Sequence, residues 1–490
     1  MDFLDPQKQK VHARRLAIGY ALIGLALIMA TTILLYQAYG FGIDKSGRVI
    51  QNGLIFVSSH PADADIYVNG RRYKDKTNAR MTLPAGQYTV EVRREGYRTW
   101  RRAMTAEGSS VVRFDYPFLL PANPTAAAVK QYTAGSGLAS QSPDRRWLLV
   151  QGQAANEFDL YDLNTKTPAA RPVAIAGDLL AAGSITQRWE EVEWSDDNRH
   201  VVLRRAYQKG GQNGTEYILF DRQDPNASQN LSVLLGFSPT AIRLRDSAYD
   251  QYLAFDQNNG ELFTASLKKP TPTPYISNVI NFATDAETVV YATTQGAPAG
   301  KALIKLRLGD DPAFTLRQVD AGATYTMDIA RFNGKPFVAA GVQNENKVYV
   351  YKDPVATYRH AKEAVFAPVY ILKITAPTYV AFSPIGRFVV AENASQFATY
   401  DVENDKGYAY QAKTPLDPPQ VHAIWMDGYH LNMVSGGKVS VFDFDGANMQ
   451  ALVPAAPGYQ PFYDHNYKFL YTIAPTNALM GTPLLTPSDQ

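Results

Sequence analysis

The sequence predicts a mainly all-β protein behind one apolar helix, and three observations predict it. Leu16 to Tyr36 runs without a single charge. From Gly53 onward, short runs rich in Val, Ile, Tyr and Phe alternate with Gly, Pro, Asn and Asp clusters, the pattern of strands and turns. Beyond residue 130 a turn-and-strand unit recurs at nearly constant spacing, the mark of a repeat architecture. At 490 residues the chain is too long for one core, so several domains are expected.

Composition narrows the function classes. The 48 Lys and Arg residues nearly balance 46 Asp and Glu, so the chain lacks the basic excess that gives nucleic-acid proteins their affinity. The charge is unevenly spread. Asp44 to Asp115 holds 13 basic and 8 acidic residues, whereas 116–490 holds 31 and 36. A basic module therefore precedes an acidic body. The chain has no cysteine, which excludes disulfides, thiolate catalysis, cysteine-ligated zinc and iron–sulfur clusters.

The apolar run Leu16–Tyr36 is long enough, at ~1.5 Å per residue, to cross the ~30 Å hydrocarbon core of a bilayer. Lys8, Lys10, Arg14 and Arg15 precede it, which by the positive-inside rule predicts a cytoplasmic N-terminus. A cleaved signal peptide would have a shorter apolar core and a small-x-small exit, and Tyr-Gln-Ala-Tyr is a poor one. The expectation is a retained signal anchor over 16–36, a cytoplasmic tail over 1–15, and the bulk of the chain outside the cell membrane.

The stretch from Gly53 to Met104 reads as a small sheet module. Asp65–Val68 closes on Asn69-Gly70, the dipeptide that favours a type I′ hairpin turn. Pro84-Ala85-Gly86 makes another turn, after which Tyr88, Val90 and Val92 share one strand face. These residues resemble the PEGA domain, a small β-sandwich of surface and membrane-attached bacterial proteins. Pro61-Ala62-Asp63-Ala64 stands at the name-giving tetrapeptide and keeps only its first and last letters. Ile66-Tyr67-Val68-Asn69-Gly70 matches the next element. Leu83-Pro84-Ala85-Gly86-Gln87-Tyr88-Thr89-Val90-Glu91-Val92, with Gly96-Tyr97, matches the last. The resemblance implies a spacer or envelope-binding sandwich over 44–116 and not an enzyme. Its arginine pairs, Arg71 and Arg72, Arg93 and Arg94, Arg101 and Arg102, are candidate contacts for an anionic envelope polymer or lipid headgroups. The competing reading is a solvated rim that discourages edge-to-edge pairing.

Prolines 117, 121 and 124 predict a stiff linker over 117–130. Then the repeat begins. Ser142-Pro143-Asp144 is followed by an apolar run and by Glu157-Phe-Asp-Leu-Tyr-Asp162; Ser195-Asp196-Asp197 leads to Glu216-Tyr-Ile-Leu-Phe-Asp221; Ser383-Pro384-Ile385-Gly386 leads to Phe397-Ala-Thr-Tyr-Asp401. Ser or Asp opens a type I turn and Pro presets the next residue. Ser142 and Ser195 are 53 residues apart, and Ser195 to Ser383 is 188, four steps of 47. With weaker units between and after, eight units are favoured and seven is the alternative. Four strands per unit at this period predict a β-propeller over 131–490. The turn and the strand ending in Tyr-Asp resemble WD40-like and TolB-like repeats, without the Gly-His and Trp-Asp dipeptides of true WD40 blades.

Chemistry is sparse. No H-x-x-x-H, G-x-S-x-G, Walker A or G-x-G-x-x-G motif occurs. His422 and His430, with Asp427 between, are open to a metal or to a structural reading. Asp443-Phe-Asp445-Gly446 resembles the start of a calcium loop but lacks its terminal Glu, and it also suits a hairpin turn. The expectation is a membrane-anchored binding or scaffold protein whose propeller takes a protein or glycan, with no catalytic residue, cofactor or metal and no nucleic-acid partner. The alternative is a hydrolase or lyase using mouth carboxylates such as Asp196, Asp197 and Asp427.

Overall fold

The computed structural model describes residues 6–38, 41–43, 49–133, 137–322, 324–361, 366–418 and 422–486. The chain forms two compact units: Met1–Asn123 with Leu485–Asp489, and Pro124–Leu484.

In the first unit, a helix runs over Pro6–Ala38, starting within the stretch read as a cytoplasmic tail. Lys10–Tyr36 is long and apolar enough to cross a membrane, and its large side chains, Leu22, Ile23 and Leu27 among them, lie open to the surroundings. Two four-stranded sheets then form a sandwich. One pairs Val49–Val57 with Phe41–Ile43, Ala79–Pro84 and, in parallel, Val111–Phe114. The other runs in the order Arg71–Lys76, Asp65–Val68, Gly86–Arg93, Trp100–Ala106. Strand alternation turns Ile55, Val57, Ile66, Val90, Val92 and Trp100 inward to one core. Asn69 and Gly70 both have positive φ (49° and 77°), the backbone that a type I′ turn demands. Thr486 belongs to this unit, and its backbone N–H donates to Tyr97 Oη at 2.9 Å.

The second unit contains eight four-stranded antiparallel sheets among the described residues. In chain order, their first strands are Ala139–Gln141, Ile185–Trp194, Ala241–Leu244, Asn281–Asp285, Tyr325–Phe332, Tyr379–Phe382, Ile424–Trp425 and Phe462–Tyr463. Apolar clusters form between neighbours. Leu149, Phe158 and Leu160 of the first sheet meet Trp189, Val201 and Ile218 of the second. Leu148, Val150 and Tyr161 on the other side meet Tyr471, Ile473 and Leu479 of the eighth. A second strand buried on both faces explains why Leu148–Val150, Val289–Ala292 and Phe388–Ala391 read as unbroken apolar runs and not as alternations.

First strands touch in succession. Trp194 Nε1 donates to Ser140 Oγ (2.7 Å), Asn281 Nδ2 to the Tyr325 carbonyl (2.7 Å) and Trp425 Nε1 to that of Ala381 (3.4 Å). Gln141 Nε2 donates to the Tyr463 carbonyl (2.7 Å), joining the first sheet to the eighth and closing the ring. The unit is a β-propeller. Its last sheet takes its fourth strand, Ala127–Gln131, from the chain ahead of the first sheet. All but the last residue of that strand lies inside the stretch read as linker, because its sheet partner, Ala478–Pro483, is some 350 residues downstream in sequence and invisible to local pattern.

The repeated turn keeps one geometry. The N–H of Ser142, Ser195, Ser383 and Asp464 each donates to the carbonyl five residues on, at 2.8–3.2 Å. The residue three places after each closes the turn, and all four of these, Arg145, Asn198, Gly386 and Tyr467, have positive φ. At Gly386 nothing larger fits, since an added Cβ would lie 2.1 Å from the Arg331 carbonyl oxygen.

Candidate functional site

Carboxylates on or next to the first strands tie one sheet to the next. Glu193 accepts the Leu244 N–H (2.9 Å), and Asp328 that of Phe382 (2.6 Å). Glu392, fully buried, accepts the Ala423 N–H (2.9 Å) and pairs with His422 Nδ1 (2.6 Å), whose ring stacks on Tyr379 at 4.1 Å. Burial dominates their acidities. It lifts Asp328 to about 6 against the pull of the Phe382 and Ile329 N–H groups, and lifts Glu392 despite His422. Glu191 is lifted to about 7, again by enclosure, with the Ser140 hydroxyl opposing and Glu193 adding. Solvent nevertheless reaches the Glu191 side chain. Sequence reasoning missed Glu191, Glu193, Asp328 and Glu392. The one available signal was a carboxylate inside a strand-like run, as in Tyr325-Thr-Met-Asp-Ile329.

The carboxylates singled out at the turns are mostly engaged there. Asp197 accepts the N–H of Arg199 (2.8 Å) and His200 (3.0 Å), and its other oxygen meets His200 Nδ1 at 2.6 Å. Asp427 repeats this with the N–H groups of Tyr429 and His430 and with His430 Nδ1, all at 2.7 Å. Burial opposes ionisation at both, yet these donors hold them below the ordinary carboxylate range. Each histidine then faces the Asp that ends the third strand: His200 Nε2 lies 3.5 Å from Asp221, and His430 Nε2 3.5 Å from Asp443. The second and seventh sheets thus carry the same Asp–His–Asp chain. His422 and His430 have separate partners, and among the described residues no group of three His, Asp or Glu side chains is placed to hold a metal ion. Asp443 and Asp445 hold a turn: Asp443 accepts Asn448 Nδ2 at 2.8 Å, and Asp445 the Ala447 N–H at 3.3 Å. Asp196 is exposed, its backbone N–H bonded to the Ser247 carbonyl.

The arginine pairs fall on three strands of one sandwich sheet. Arg71 and Arg72 start one edge strand, Arg101 and Arg102 lie on the opposite edge, and Arg93 ends the strand between, with Arg94 just beyond. Register puts Arg72, Tyr67, Glu91 and Arg101 in one cross-strand row, with Asp65 opposite Arg93. Arg72 pairs with Asp65 (2.6 Å); Glu91 is flanked by Arg93 and by Arg101 Nε (3.4 Å). Arg93 also lies over the Tyr67 ring at 4.2 Å, and Arg102 over Tyr116 at 5.8 Å. Arg94 donates to the Ala62 carbonyl, and Arg71 is exposed beside the hairpin turn. Residues 52–119 match the PEGA domain family. In the PEGA domain the tetrapeptide Pro61–Ala64 is a turn: Asp63 has a φ of 59°, Ala64 is buried, and the Ala62 carbonyl anchors Arg94. The two substituted letters therefore stand in a bend.

No curated protein matches the chain. Among solved structures it is similar to the Dos1 propeller (11% identity, TM-score 0.43), covering 74% of this chain and 95% of that one. It is also similar to Kluyveromyces lactis Hsv2 (10%, TM-score 0.39; 64% and 97%) and to the dihydro-heme d1 dehydrogenase NirN in complex with DHE (14%, TM-score 0.42; 68% and 69%).

Proposed function

We propose that the protein is a membrane-anchored, extracytoplasmic binding or scaffold protein of the cell envelope, in which the PEGA domain is a spacer and the propeller takes a protein or glycan. One observation carries the reading: an apolar helix of spanning length, a PEGA domain and a closed propeller follow one another in a single chain. The basic residues ahead of the helix support a cytoplasmic N-terminus. The turn carboxylates support binding over catalysis, because Asp197 and Asp427 spend their oxygens on their own turns. The test is protease added to intact spheroplasts, followed by capture from envelope extracts on the purified protein. Digestion of the propeller with the first 15 residues spared, and one specific captured ligand, is the expected result. A protected propeller overturns it.

A second reading, an extracytoplasmic hydrolase or lyase, rests on Glu191, an exposed carboxyl on the first strand of the second sheet whose pKa its surroundings raise. Screening glycan, phosphoester and peptide substrates decides between them. Turnover abolished by Glu191→Gln in a folded protein would establish the enzyme.

A further inference from the structure

A cleft of about 410 Å³ opens between the first and second propeller sheets, lined by Trp147, Asp162, Arg171, Arg222 and Gln223. Two guanidinium groups line it, and a third, that of Arg146, lies beside its Trp147 wall. Arg146 is fully answered by Asp162, with Nε–Oδ1 at 3.1 Å and Nη2–Oδ2 at 2.7 Å. The other two have no carboxylate within ion-pair distance among the described residues. Arg171 Nη2 reaches the backbone carbonyl of Arg222 at 2.8 Å, which draws the two cations together. Arg222 is only 6% exposed, its Nε is spent on the Asn198 carbonyl, and its guanidinium carbon lies over the Trp147 ring, 3.9 Å from the centroid. Arg146 approaches the same ring at 4.8 Å.

The nearby acids Asp144 and Asp197 act on Arg222 only at longer range, with no ion pair to it among the described residues. Asp144 accepts the Ser142 hydroxyl and the Arg146 N–H, and Asp197 is held by His200. The pKa of Arg222 is lowered, first by burial and then, against the opposing pull of Asp144 and Asp197, by Arg171 and Arg146. A buried guanidinium held beside a second cation is costly unless an anion joins it.

We propose that this cleft binds a phosphate-bearing ligand, with Arg171 and Arg222 as the cations that hold the phosphate. Two guanidiniums without an ion-pair partner among the described residues suit the −1.5 to −2 charge of a phosphate monoester at about pH 7. The planar forks of arginine suit the several oxygens of a phosphate. The remaining volume, walled by Trp147 and Leu160, holds the organic part of the ligand. This deepens the binding reading above and rests on it. Loss of the phosphate site alone would leave that reading standing, because envelope capture tests the whole propeller.

The test uses the full chain in non-ionic detergent at low salt, titrated calorimetrically with glycerol phosphate, inorganic phosphate and succinate. Both phosphates should bind saturably, and binding should weaken as salt rises. Arg171→Gln should weaken it at least tenfold; Arg171 is exposed, so this variant should fold normally. Arg188→Gln, at an exposed arginine paired with Glu190, should leave it unchanged. Arg222→Gln, where circular dichroism shows it folded, should abolish it. Absence of saturable phosphate binding, unchanged affinity in Arg171→Gln, or tighter binding of succinate would each overturn the proposal.

Discussion

At the scale of single residues, one pairing explains the Asp that ends each strong repeat. Asp162, Asp221 and Asp401 lie opposite the first residue of the second strand, and the arginine just before that strand, Arg146, Arg199 or Arg387, folds onto each. Each Asp also caps the turn after it, through the N–H of Asn164, Gln223 or Glu403. Burial grades these pairs: the Asp401 side chain is 1% exposed and that of Asp162 24%. Arg387→Met should therefore cost about 3 kcal/mol by stranding a buried carboxylate. Arg146→Met should cost clearly less, because solvent screens its partner. Denaturant melts of the two variants check the order, and equal losses would deny it. The sheet-to-sheet carboxylates give the opposite sign. With its folded pKa near 6, above the ordinary 3.8, Asp328 is more readily protonated in the folded chain. Its contribution is fully present below the unfolded pKa, and it is lost as pH rises from about 4 through about 6. Asp328→Asn keeps an acceptor for the Phe382 N–H and removes the titration. The variant should gain on the order of 1–2 kcal/mol over the parent at pH 7.5 and nothing near pH 4, read as the difference between their melting profiles.

At the scale of elements, what could be read ahead was whatever is written locally. Asn69-Gly70 dictated a hairpin because both residues accept positive φ, and Ser142, Ser195 and Ser383 announced turns whose hydrogen bonds stay within five residues. Asp464, whose side chain accepts the Phe469 N–H at 2.7 Å, does the same work in a weak repeat. Pairings that register alone creates stayed hidden. The arginine pairs were visible as charge, but not that Glu91 stands between Arg93 and Arg101. Nor could Arg222 be seen to meet Arg171, 51 residues earlier in sequence. The strand Ala127–Gln131 is the clearest case: Ala and Lys read as linker, and only the eighth sheet makes them a strand. That strand and the residue after it also grip the first sheet. Lys130 Nζ reaches Asp159 at 2.6 Å, and the Tyr132 and Tyr161 hydroxyls meet at 2.7 Å. Asp159 is 4% exposed, so Lys130→Met should destabilise by about 1–3 kcal/mol, and the double change Lys130→Met with Asp159→Asn should recover part of it. Additive losses in that cycle would show the two groups to be independent.

At the scale of the whole molecule, chain order makes the propeller's closure depend on the segment that leads into it. Every sheet from the first to the seventh is built from contiguous chain, so each forms its four strands from local hairpins. The eighth cannot, because Phe462–Tyr463, Phe469–Ile473 and Ala478–Pro483 need Ala127–Gln131. Closing the ring thus requires the longest loop in the unit, and loop-closure entropy makes that pairing late in folding. Two truncated chains separate this from a plain loss of length: one beginning at residue 124, the other at 132. Both retain the seven contiguous sheets, but the second exposes the unpaired edge of Ala478–Pro483, an invitation to pair with another copy. The chain from 124 should melt in one transition as a monomer. The chain from 132 should melt at a lower temperature with a broadened transition, and should form dimers or larger species that a synthetic peptide of residues 124–133 reverses. Indistinguishable melting and a monomeric mass for both fragments would mean that the face-to-face clusters between sheets hold the ring shut without the borrowed strand.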